Sequence, residues 1–334
     1  MSTVLGVCHT DDSFESDVSS RIWLTYRYNF IPLTAKQQYK HQYTSDSGWG
    51  CMIRTGQMML AEALLRLELG RAWRLVNSDT SYSLAHQNIL RRFVDAPNVF
   101  CDLSIHRIVQ IGVRYGKQPG DWYGPETIAT VFQELVHANP YAKLSIHVAR
   151  GSTIVSGRIA QHFSNTTNKP LLLLIPVRLG LQCVNSTYRP FILGCLQLSC
   201  SVGIIGGKPR HSVYFIGHSA DGKLLYLDPH SVQKAVTVDD CFPRMADLLS
   251  YHCRQPRYMD VGEMDPSMTI GFLLENVAAF EQFCRNVQNL TNKTTPFFHV
   301  VDVEPCVNTD DVSDACVMDM SEEEEEEEWL LLTT

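Results

Sequence analysis

TSDSGWGCMIRTGQM, residues 44–58, places a cysteine at the start of a helical pattern. From residue 52 onward, apolar side chains recur at the spacing of one helical face: Met52, Met59, Leu60, Ala63, Leu64 and Leu67. Polar side chains take the other face: Arg54, Gln57, Glu62 and Arg66. Gly70 is typical of a helix end. The pattern predicts a helix that begins at Cys51 and stops before Gly70.

Cys51 has the placement that activates a thiol. The unpaired amides and the dipole at a helix N-terminus favour the thiolate over the thiol. Gly48 and Gly50 would let the backbone approach a substrate closely, and the Cys51 amide can point at an oxyanion. The same features also fit a buried cysteine that begins an ordinary core helix. Cys51 is therefore a candidate nucleophile, and Gly48 and Gly50 are candidate substrate-binding residues.

A cysteine nucleophile needs a histidine base oriented by a carboxylate or an amide, and the sequence offers two arrangements. In YLDPH, Asp228 and His230 are two residues apart in a predicted extended segment, so their side chains would leave the same face. Alternatively, His211 opens the strand HSVYFIGH and Asp228 closes its hairpin partner. Either histidine could instead be satisfied by backbone at a strand end. Spacing alone leaves these alternatives open.

The remaining pattern predicts a second helix and then a sheet. Pro125 suits the first position of a helix over 125–137. LLLLIPV, residues 171–177, is typical of a buried strand, and the runs 213–218 and 223–229 flank SADG, an Asp-Gly turn of a hairpin. Helices around the cysteine followed by a sheet that carries His and Asp predict an α+β fold.

Trp122 is a further candidate for substrate binding. It lies in GDWYGP, between glycines, in a loop that ends at the second predicted helix. Loop tryptophans often lie over a cleft, although packing of the turn would explain the residue equally well.

The charge of the chain is concentrated near its end. The 334 residues include 28 Lys and Arg and 36 Asp and Glu, but thirteen of the acidic residues and no basic residue lie between 302 and 328. The rest of the chain then carries a net charge of +5. We expect a folded domain over 1–300 and an acidic, disordered tail over 301–334. A small excess of charge without a basic stripe argues against a nucleic-acid partner.

Cysteine usage and the N-terminus bear on the compartment. The eleven cysteines are scattered and form no CxxC pair, so we expect neither a disulfide framework nor a metal site. The stretch MSTVLGVCHTDD has neither a basic region nor a long apolar run, so no secretory signal is expected. A reducing, cytoplasmic location is the prediction.

Five segments together resemble the autophagin cysteine peptidases, in the order in which that family carries them. They are SSRIWLTYR at 19–27, TSDSGWGCMIRTGQM at 44–58, GDWYGPE at 120–126, GIIGGKPRHSVYFIG at 203–217 and YLDPH at 226–230. The likeness runs from about residue 4 to 300. The details GDWYGP, IPVRLG, GGKPRHS and MDPSMTIGF resemble the C/D branch of the animal enzymes more closely than the A/B branch.

The resemblance implies a fold and a set of roles. The fold is a papain-like cysteine peptidase with a small auxiliary lobe. Cys51 is implied as the nucleophile, His230 as the base and Asp228 as its orienter, which favours YLDPH over His211. Tyr26 would help the Cys51 amide to form an oxyanion hole, and Trp122 would cover the terminal glycine of the substrate. No cofactor is implied.

The resemblance also implies a substrate class. The family processes the ubiquitin-like modifiers of autophagy, of which the GABARAP type is our expectation. Cleavage after the terminal glycine would prime the precursor and later release the modifier from phosphatidylethanolamine, with transient contact to a membrane surface through the lipidated substrate. The alternative is a weakly active regulator that mainly binds modifiers. Nothing in the sequence pattern demands more than a monomer.

The acidic tail ends in WLLL, where Trp329 and Leu332 have the spacing of short W-x-x-L motifs. Such motifs bind autophagy modifiers by adding a strand to the modifier's sheet, and the seven preceding glutamates would favour a basic docking surface. Trp329 and Leu332 are therefore predicted as a modifier-docking motif.

Overall fold

The computed structural model describes residues 1–10, 13–34, 42–75, 84–166, 168–236, 238–239, 242–243, 245–253 and 255–302. Within this part, the chain from Met1 to Asp302 forms one compact unit. The predicted tail lies outside the described residues from position 303 onward, and with it Trp329 and Leu332.

The α-helices of the described residues surround a central sheet. They are α1 Ser13–Ser19, α2 Cys51–Leu69, α3 Leu84–Arg92, α4 Ile105–Gly112, α5 Pro125–His137, α6 Ser156–Asn165, α7 Arg189–Gln197, α8 Met245–Leu248 and α9 Val277–Thr291. The predicted helix at Cys51 and the predicted helix over 125–137 are confirmed as α2 and α5. Gly70 ends α2 with a φ of 79°, a backbone conformation that glycine adopts without strain.

The strands of the described residues fall into one large sheet and smaller ones. They are β1 Ser2–Val4, β2 Val7–His9, β3 Tyr26–Thr34, β4 Gln42–Ser45, β5 Ser145–Val148, β6 Thr153–Val155, β7 Leu171–Arg178, β8 Ser201–Lys208, β9 His211–His218, β10 Leu224–Leu227, β11 Val232–Lys234, β12 Val238–Asp239, β13 Phe242–Pro243, β14 Arg257–Met259, β15 Ser267–Leu274 and β16 His299–Val301. The central sheet has the order β14-β10-β9-β8-β15-β7-β5. The predicted β9–β10 hairpin is confirmed, with antiparallel pairing across the SADG turn.

Both faces of the central sheet are covered by apolar side chains. In β7, Leu172 and Leu174 join the hydrophobic cluster on the α2 side, whereas Leu171, Leu173 and Ile175 join the cluster that contains α7 and α9. A strand buried on both faces reads as a continuous apolar run, which explains LLLLIPV. The mixture of helices and sheets confirms the α+β prediction and is consistent with a papain-like cysteine peptidase fold.

Helix α2 is buried in the core on all sides, unlike an amphipathic helix, which exposes its polar face to solvent. Every residue from Cys51 to Arg66 is buried, including those of the polar face. Arg66 donates to Glu62 Oε1 at 2.7 Å, and Arg21 Nη1 donates to Glu62 Oε2 at 3.0 Å. The polar face of α2 is thus paired internally rather than solvated.

A small sheet holds the chain beside the N-terminus of α2. In it, β3 pairs antiparallel with β4 and parallel with β11, with Tyr26 opposite Val232. This sheet brings the start of β3 close to the segment that follows β10. Among the described residues, no helix has the length and apolar character needed to cross a membrane.

Candidate active site

The Cys51 thiol is the first side chain of α2 and is surrounded by hydrogen-bond donors. The residue is 1% exposed. Burial alone would raise the pKa of the thiol, but its interactions with His230, the Ser212 amide, Trp122 and Tyr26 outweigh burial, so that its pKa lies below the usual value. These contacts therefore favour the thiolate form of Cys51 over the thiol.

Asp228 and His230 meet in a tight turn after β10. The His230 amide donates to Asp228 Oδ1 at 3.0 Å, and His230 Nδ1 lies 2.6 Å from the same oxygen. Because β10 ends at Leu227, these residues are not in a strand, and the prediction that strand alternation brings them together was wrong. An Asx turn, in which the aspartate side chain bonds the amide two residues on, does so instead.

The other ring nitrogen of His230 is left for Cys51. His230 Nε2 is buried and forms no conventional hydrogen bond within the described residues. Burial lowers the pKa of His230, but the Asp228 carboxylate and the Cys51 thiolate more than compensate and raise it to about 9. A raised imidazole pKa beside a lowered thiol pKa corresponds to a thiolate–imidazolium pair.

Two residues without a role in the sequence analysis hold Asp228. Arg257 Nη1 donates to Asp228 Oδ2 at 2.7 Å, and Trp23 Nε1 donates to the Asp228 carbonyl at 2.7 Å. Trp23 lies in SSRIWLTYR, but nothing in its spacing indicates this contact. Arg257 comes from β14, whose pairing with β10 could not be deduced from sequence.

His211, the alternative base, lies against His230 rather than against Cys51. The two imidazole rings stack with centroids 3.6 Å apart and an interplanar angle of 4°. His211 Nε2 is 3.9 Å from Asp228 Oδ2, which is beyond hydrogen-bond distance. Between the two arrangements left open by the spacing, the structure pairs His230 with Asp228.

Tyr26 brings its hydroxyl to the Cys51 thiol from β3. Burial, the nearby thiolate and the hydrogen bond to Cys51 raise the pKa of the Tyr26 phenol, so that it remains a donor. The Gly48 amide donates to the same hydroxyl. The Tyr26 amide in turn donates to the Pro229 carbonyl at 2.9 Å, which ties β3 to the turn that carries His230.

The approach to Cys51 is built around the buried carboxylate of Asp46, which sequence reasoning did not single out. Asp46 Oδ1 accepts from the Arg27 amide at 2.6 Å, and Oδ2 accepts from Arg54 Nε at 2.7 Å. A Cβ on Gly50 would lie only 2.4 Å from Asp46 Oδ2, so Gly50 makes room for this carboxylate. A Cβ on Gly48 would meet nothing, but its φ of 90° favours glycine.

Trp122 reaches the thiol from the loop before α5. Its Nε1 donates to Cys51 Sγ at 3.3 Å, while the residue remains 38% exposed. Gly120 has a φ of 101°, and a Cβ there would lie 2.4 Å from the Tyr43 hydroxyl, so the loop approaches the body closely. One edge of the indole thus contacts the thiol while part of the side chain faces solvent.

One group of side chains within the described residues has the spacing of metal ligands. His211, Asp228 and His230 each offer an atom, and these atoms lie within 4.8 Å of one another. Both carboxylate oxygens of Asp228 are already engaged, one by His230 and one by Arg257. A metal ion would have to displace both contacts, so the group fits a hydrogen-bonded pair better than a metal site.

Together these contacts support acyl-transfer chemistry. The lowered pKa of Cys51 and the raised pKa of His230 favour a thiolate beside an imidazolium that can give up its proton. The imidazole is oriented by a carboxylate, and Tyr26 and the Cys51 amide are donors close to the thiol. The structure brings together Cys51, His230, Asp228, Tyr26 and Trp122, which the sequence analysis named. Their catalytic and binding roles stay predictions.

The comparisons with known proteins agree with this chemistry. The model of the Peptidase C54 catalytic domain matches residues 11–286. Cysteine protease ATG4B of Xenopus laevis is 36% identical over 316 residues, covering 87% of this chain and 79% of the relative. Cysteine protease ATG4B of Gallus gallus is 34% identical, covering 86% of this chain and 80% of the relative.

Cysteine protease ATG4A of Mus musculus is also 34% identical, covering 87% of this chain and 78% of the relative. The resemblance to the animal enzymes is confirmed, while the closer likeness to the C/D branch stays a prediction. The family model spans most of the chain and includes Cys51, Asp228 and His230. The chain therefore belongs to the Peptidase C54 family, the autophagin cysteine peptidases.

Proposed function

We propose that this peptidase cleaves the bond after the C-terminal glycine of GABARAP-type ubiquitin-like autophagy modifiers. The observation that carries the proposal is the contact of Trp122 Nε1 with Cys51 Sγ. An indole this close to the nucleophile leaves a narrow slot, which a glycine can enter and a residue with a side chain cannot. The kinship with the ATG4A and ATG4B cysteine proteases supports an autophagy modifier as the substrate class.

The mechanism uses the thiolate and the imidazolium in turn. Cys51 Sγ attacks the glycine carbonyl, and the C–S bond forms as the carbonyl electrons move onto oxygen. His230 then gives its proton to the leaving amine, so that the C–N bond breaks and a thioester remains. A water molecule, deprotonated by His230, attacks the thioester and restores the thiolate. Asp228 keeps the imidazole oriented throughout.

The oxyanion is held by the donors next to the thiol. We propose that the Cys51 amide and the Tyr26 hydroxyl donate to the carbonyl oxygen as it gains charge. Tyr26 suits this task because its raised pKa keeps the phenol protonated, and the Gly48 amide helps to fix the hydroxyl. Gly48 would thus act through Tyr26 as well as by leaving room for the substrate backbone.

The same mechanism would serve two substrates, because only the leaving amine differs. In the precursor it belongs to the next residue, and in the lipid conjugate it belongs to phosphatidylethanolamine. We propose that the peptidase performs both priming and delipidation in the cytoplasm as a monomer. It would touch the membrane surface only through the lipidated substrate and use no nucleic-acid partner.

The segment after residue 300 would add a second contact with the modifier. We propose that Trp329 and Leu332 of the acidic tail bind the modifier by strand addition while its terminal glycine enters the active site. Two linked contacts raise the effective concentration of the substrate at Cys51. Removing either side chain should then weaken binding without changing the chemical step.

The experiment is a cleavage panel with modifier precursors and lipid conjugates. The full chain should cleave after the terminal glycine, Cys51→Ala should be inactive, and Cys8→Ala, which alters an exposed cysteine, should match the unmodified protein. Cleavage by Cys51→Ala at the normal rate would contradict the proposal. Negligible turnover at saturating substrate, with binding lost in Trp329→Ala, would instead establish a weakly active modifier-binding regulator.

A further inference from the structure

Within the part of the chain that the structure describes, His211 contacts His230 and has no role in the proposed mechanism. We propose that His211 is a positioning residue that holds the His230 imidazole in the orientation from which it reaches Cys51. The proposal rests on the proposed pairing of Cys51 with His230, and it stands on the parallel stack of the two rings at 3.6 Å.

The stack restrains a motion that the other contacts of His230 leave open. The bond from Nδ1 to Asp228 fixes one ring atom, but a ring held at a single atom can still tilt about that contact. His211 lies flat against one face with an interplanar angle of 4°, and Tyr26 meets the ring edge-on at 84°. Together they limit tilting, and so keep Nε2 directed towards the thiol.

The backbone that carries His211 is itself fixed. His211 is the first residue of β9 and pairs with Lys208 across the β8–β9 turn. A Cβ on Gly207 would lie only 2.0 Å from the His211 carbonyl oxygen, so the turn is closely packed. The next residue, Ser212, gives its amide to the Cys51 thiol. The start of β9 thus supports both members of the thiolate–imidazolium pair, as precise positioning requires.

The charges around His211 keep its ring neutral. It faces His230 and Asp228 on the turn after β10, Lys208 on β8 and Arg257 on β14. Burial and the His230 imidazolium lower the pKa of His211, and the Asp228 carboxylate, which raises it, does not outweigh them. A neutral imidazole can stack on an imidazolium favourably, whereas a second cation would repel it.

The test separates positioning from folding and from substrate choice. Two rates are measured: turnover of a modifier precursor, and alkylation of Cys51 by iodoacetamide at neutral pH, followed by mass spectrometry of the Cys51 peptide. In His211→Ala we expect kcat and the alkylation rate to fall about three- to tenfold, the range of an aromatic contact, with KM within about twofold. His211→Phe, which keeps a flat ring, should restore both rates.

Matched variants make the result decisive. His218→Ala changes the buried histidine at the other end of β9 and should leave the alkylation rate of the folded protein unchanged. If His211→Ala does not fold, His211→Leu is compared with His211→Phe, and only the leucine should be slow. Unchanged rates in His211→Ala, or no recovery in a folded His211→Phe, would overturn the proposal.

The alkylation rate distinguishes this proposal from the proposed function. A response of alkylation to His211→Ala and His211→Phe as expected, in a protein that cleaves no modifier, would support the positioning role and reject the substrate. Normal cleavage of the modifier, with turnover and alkylation rates that do not respond to the substitutions at His211, would reject the positioning role and support the proposed substrate.

Discussion

Cys51 and Cys101 are both buried, yet the pKa values of their thiols move in opposite directions. Burial raises the pKa of Cys101 to about 11 and that of Cys200 to about 12. Cys195 is raised in the same way. Only Cys51 among these four has donors that outweigh burial, so that its pKa falls. The environment of the thiol, rather than its burial, marks it as reactive.

Trp122 contributes both a hydrogen-bond donor and an indole ring that covers the thiol, and two substitutions separate these contributions. Trp122→Phe keeps a ring over the thiol but removes the Nε1–H, so we expect a loss in kcat/KM of about tenfold, or ~1.4 kcal/mol. Trp122→Ala removes both and should lose more, while also accepting substrates with alanine in place of the terminal glycine. Steady-state kinetics with paired Gly and Ala substrates would check this. If both variants discriminated equally between the Gly and Ala substrates, the indole ring would not be what excludes a side chain.

Gly50 and Gly48 should respond differently to alanine. In Gly50→Ala, the added methyl would lie 2.4 Å from Asp46 Oδ2, so the loop before Cys51 must shift. We expect a loss of about 1–3 kcal/mol in the free energy of unfolding, together with loss of activity. Gly48→Ala meets no atom and should lose only about 1 kcal/mol through its positive φ. Denaturant unfolding of both variants measures the difference, and equal costs would refute the clash.

For individual residues, the sequence identified the candidate catalytic side chains but not the contacts that hold them in place. The helix start at Cys51 was readable from the residue pattern, whereas the preference for His230 in YLDPH over His211 came from the family resemblance. The Asx turn, the Arg257 contact and the stack of His211 could not be foreseen, because each depends on how separate segments fold against one another. Asp46 stands five residues before Cys51, yet only the fold shows that it bonds both Arg27 and Arg54.

Helix α2 carries buried charges that the rest of the fold must balance. Arg54 bonds Asp46 on one side and Asp95 on the other, with Nη2 2.9 Å from Asp95 Oδ2. These carboxylates raise the pKa of the guanidinium, so it remains charged although it is fully buried. The same network leads to the loop before Cys51. The element that presents the nucleophile is therefore also held by ion pairs within the core.

Arg54→Met should be far more costly than a similar change on the surface. It leaves two buried carboxylates without their cation, which costs about 3–5 kcal/mol in the free energy of unfolding. The control is Arg285→Met in α9, where the pair with Glu281 is exposed and contributes at most about 1 kcal/mol. Thermal or denaturant unfolding measures both. A cost for Arg54→Met no larger than that of the control would contradict the buried network.

Helical periodicity predicted α2 and its end at Gly70 but could not reveal that its polar face is buried. Arg54, Gln57, Glu62 and Arg66 have the spacing that a solvated face would also show. Beyond the contacts within α2 and with Asp46, their partners lie in β8 and in loops remote in sequence, such as Arg21 and Asp95, and no local pattern records such pairing. By contrast, LLLLIPV indicated a strand buried on both faces, because a strand with one solvated face would alternate apolar and polar residues.

Across the whole molecule, stability should depend on pH through a buried pair of histidines. His252 Nδ1 lies 3.1 Å from the Ser19 carbonyl, and its Nε2 lies 3.2 Å from His86 Nε2. If His252 donates from Nδ1, its Nε2 must accept from His86. Burial is the main cause that lowers the pKa of His86 to about 3 and that of His252 to about 4. The folded protein therefore keeps both rings neutral.

The unfolded chain takes up protons on these histidines before the folded protein does. The free energy of unfolding should therefore fall as the pH drops below about 6.5, by up to ~1.4 kcal/mol per pH unit for each histidine, until the folded-state pKa values are reached. In His252→Gln, the fall between pH 6.5 and 4.5 should be shallower than in His137→Gln, which alters an exposed histidine. Parallel curves from denaturant unfolding would refute this assignment.

The order of the central sheet is the part of the fold that the sequence could not supply. The β9–β10 hairpin was readable from its turn, because its strands are adjacent in the chain. The placement of β15 between β8 and β7, and of β14 beside β10, depends on long connections that carry no local signal. Because β14 supplies Arg257 and β15 completes the core, the contacts of the site could not be predicted without the order of the strands.

The nucleophile can be captured in a covalent complex with its substrate. A GABARAP-type modifier, in which the carboxyl group of the terminal glycine is replaced by an α,β-unsaturated methyl ester that a thiolate adds to as a stable thioether, is incubated with the full chain and the adduct is mapped by mass spectrometry. We expect one adduct, on Cys51, absent in Cys51→Ala and formed much more slowly in His230→Ala. An adduct on another cysteine, or an unchanged rate in His230→Ala, would contradict the account.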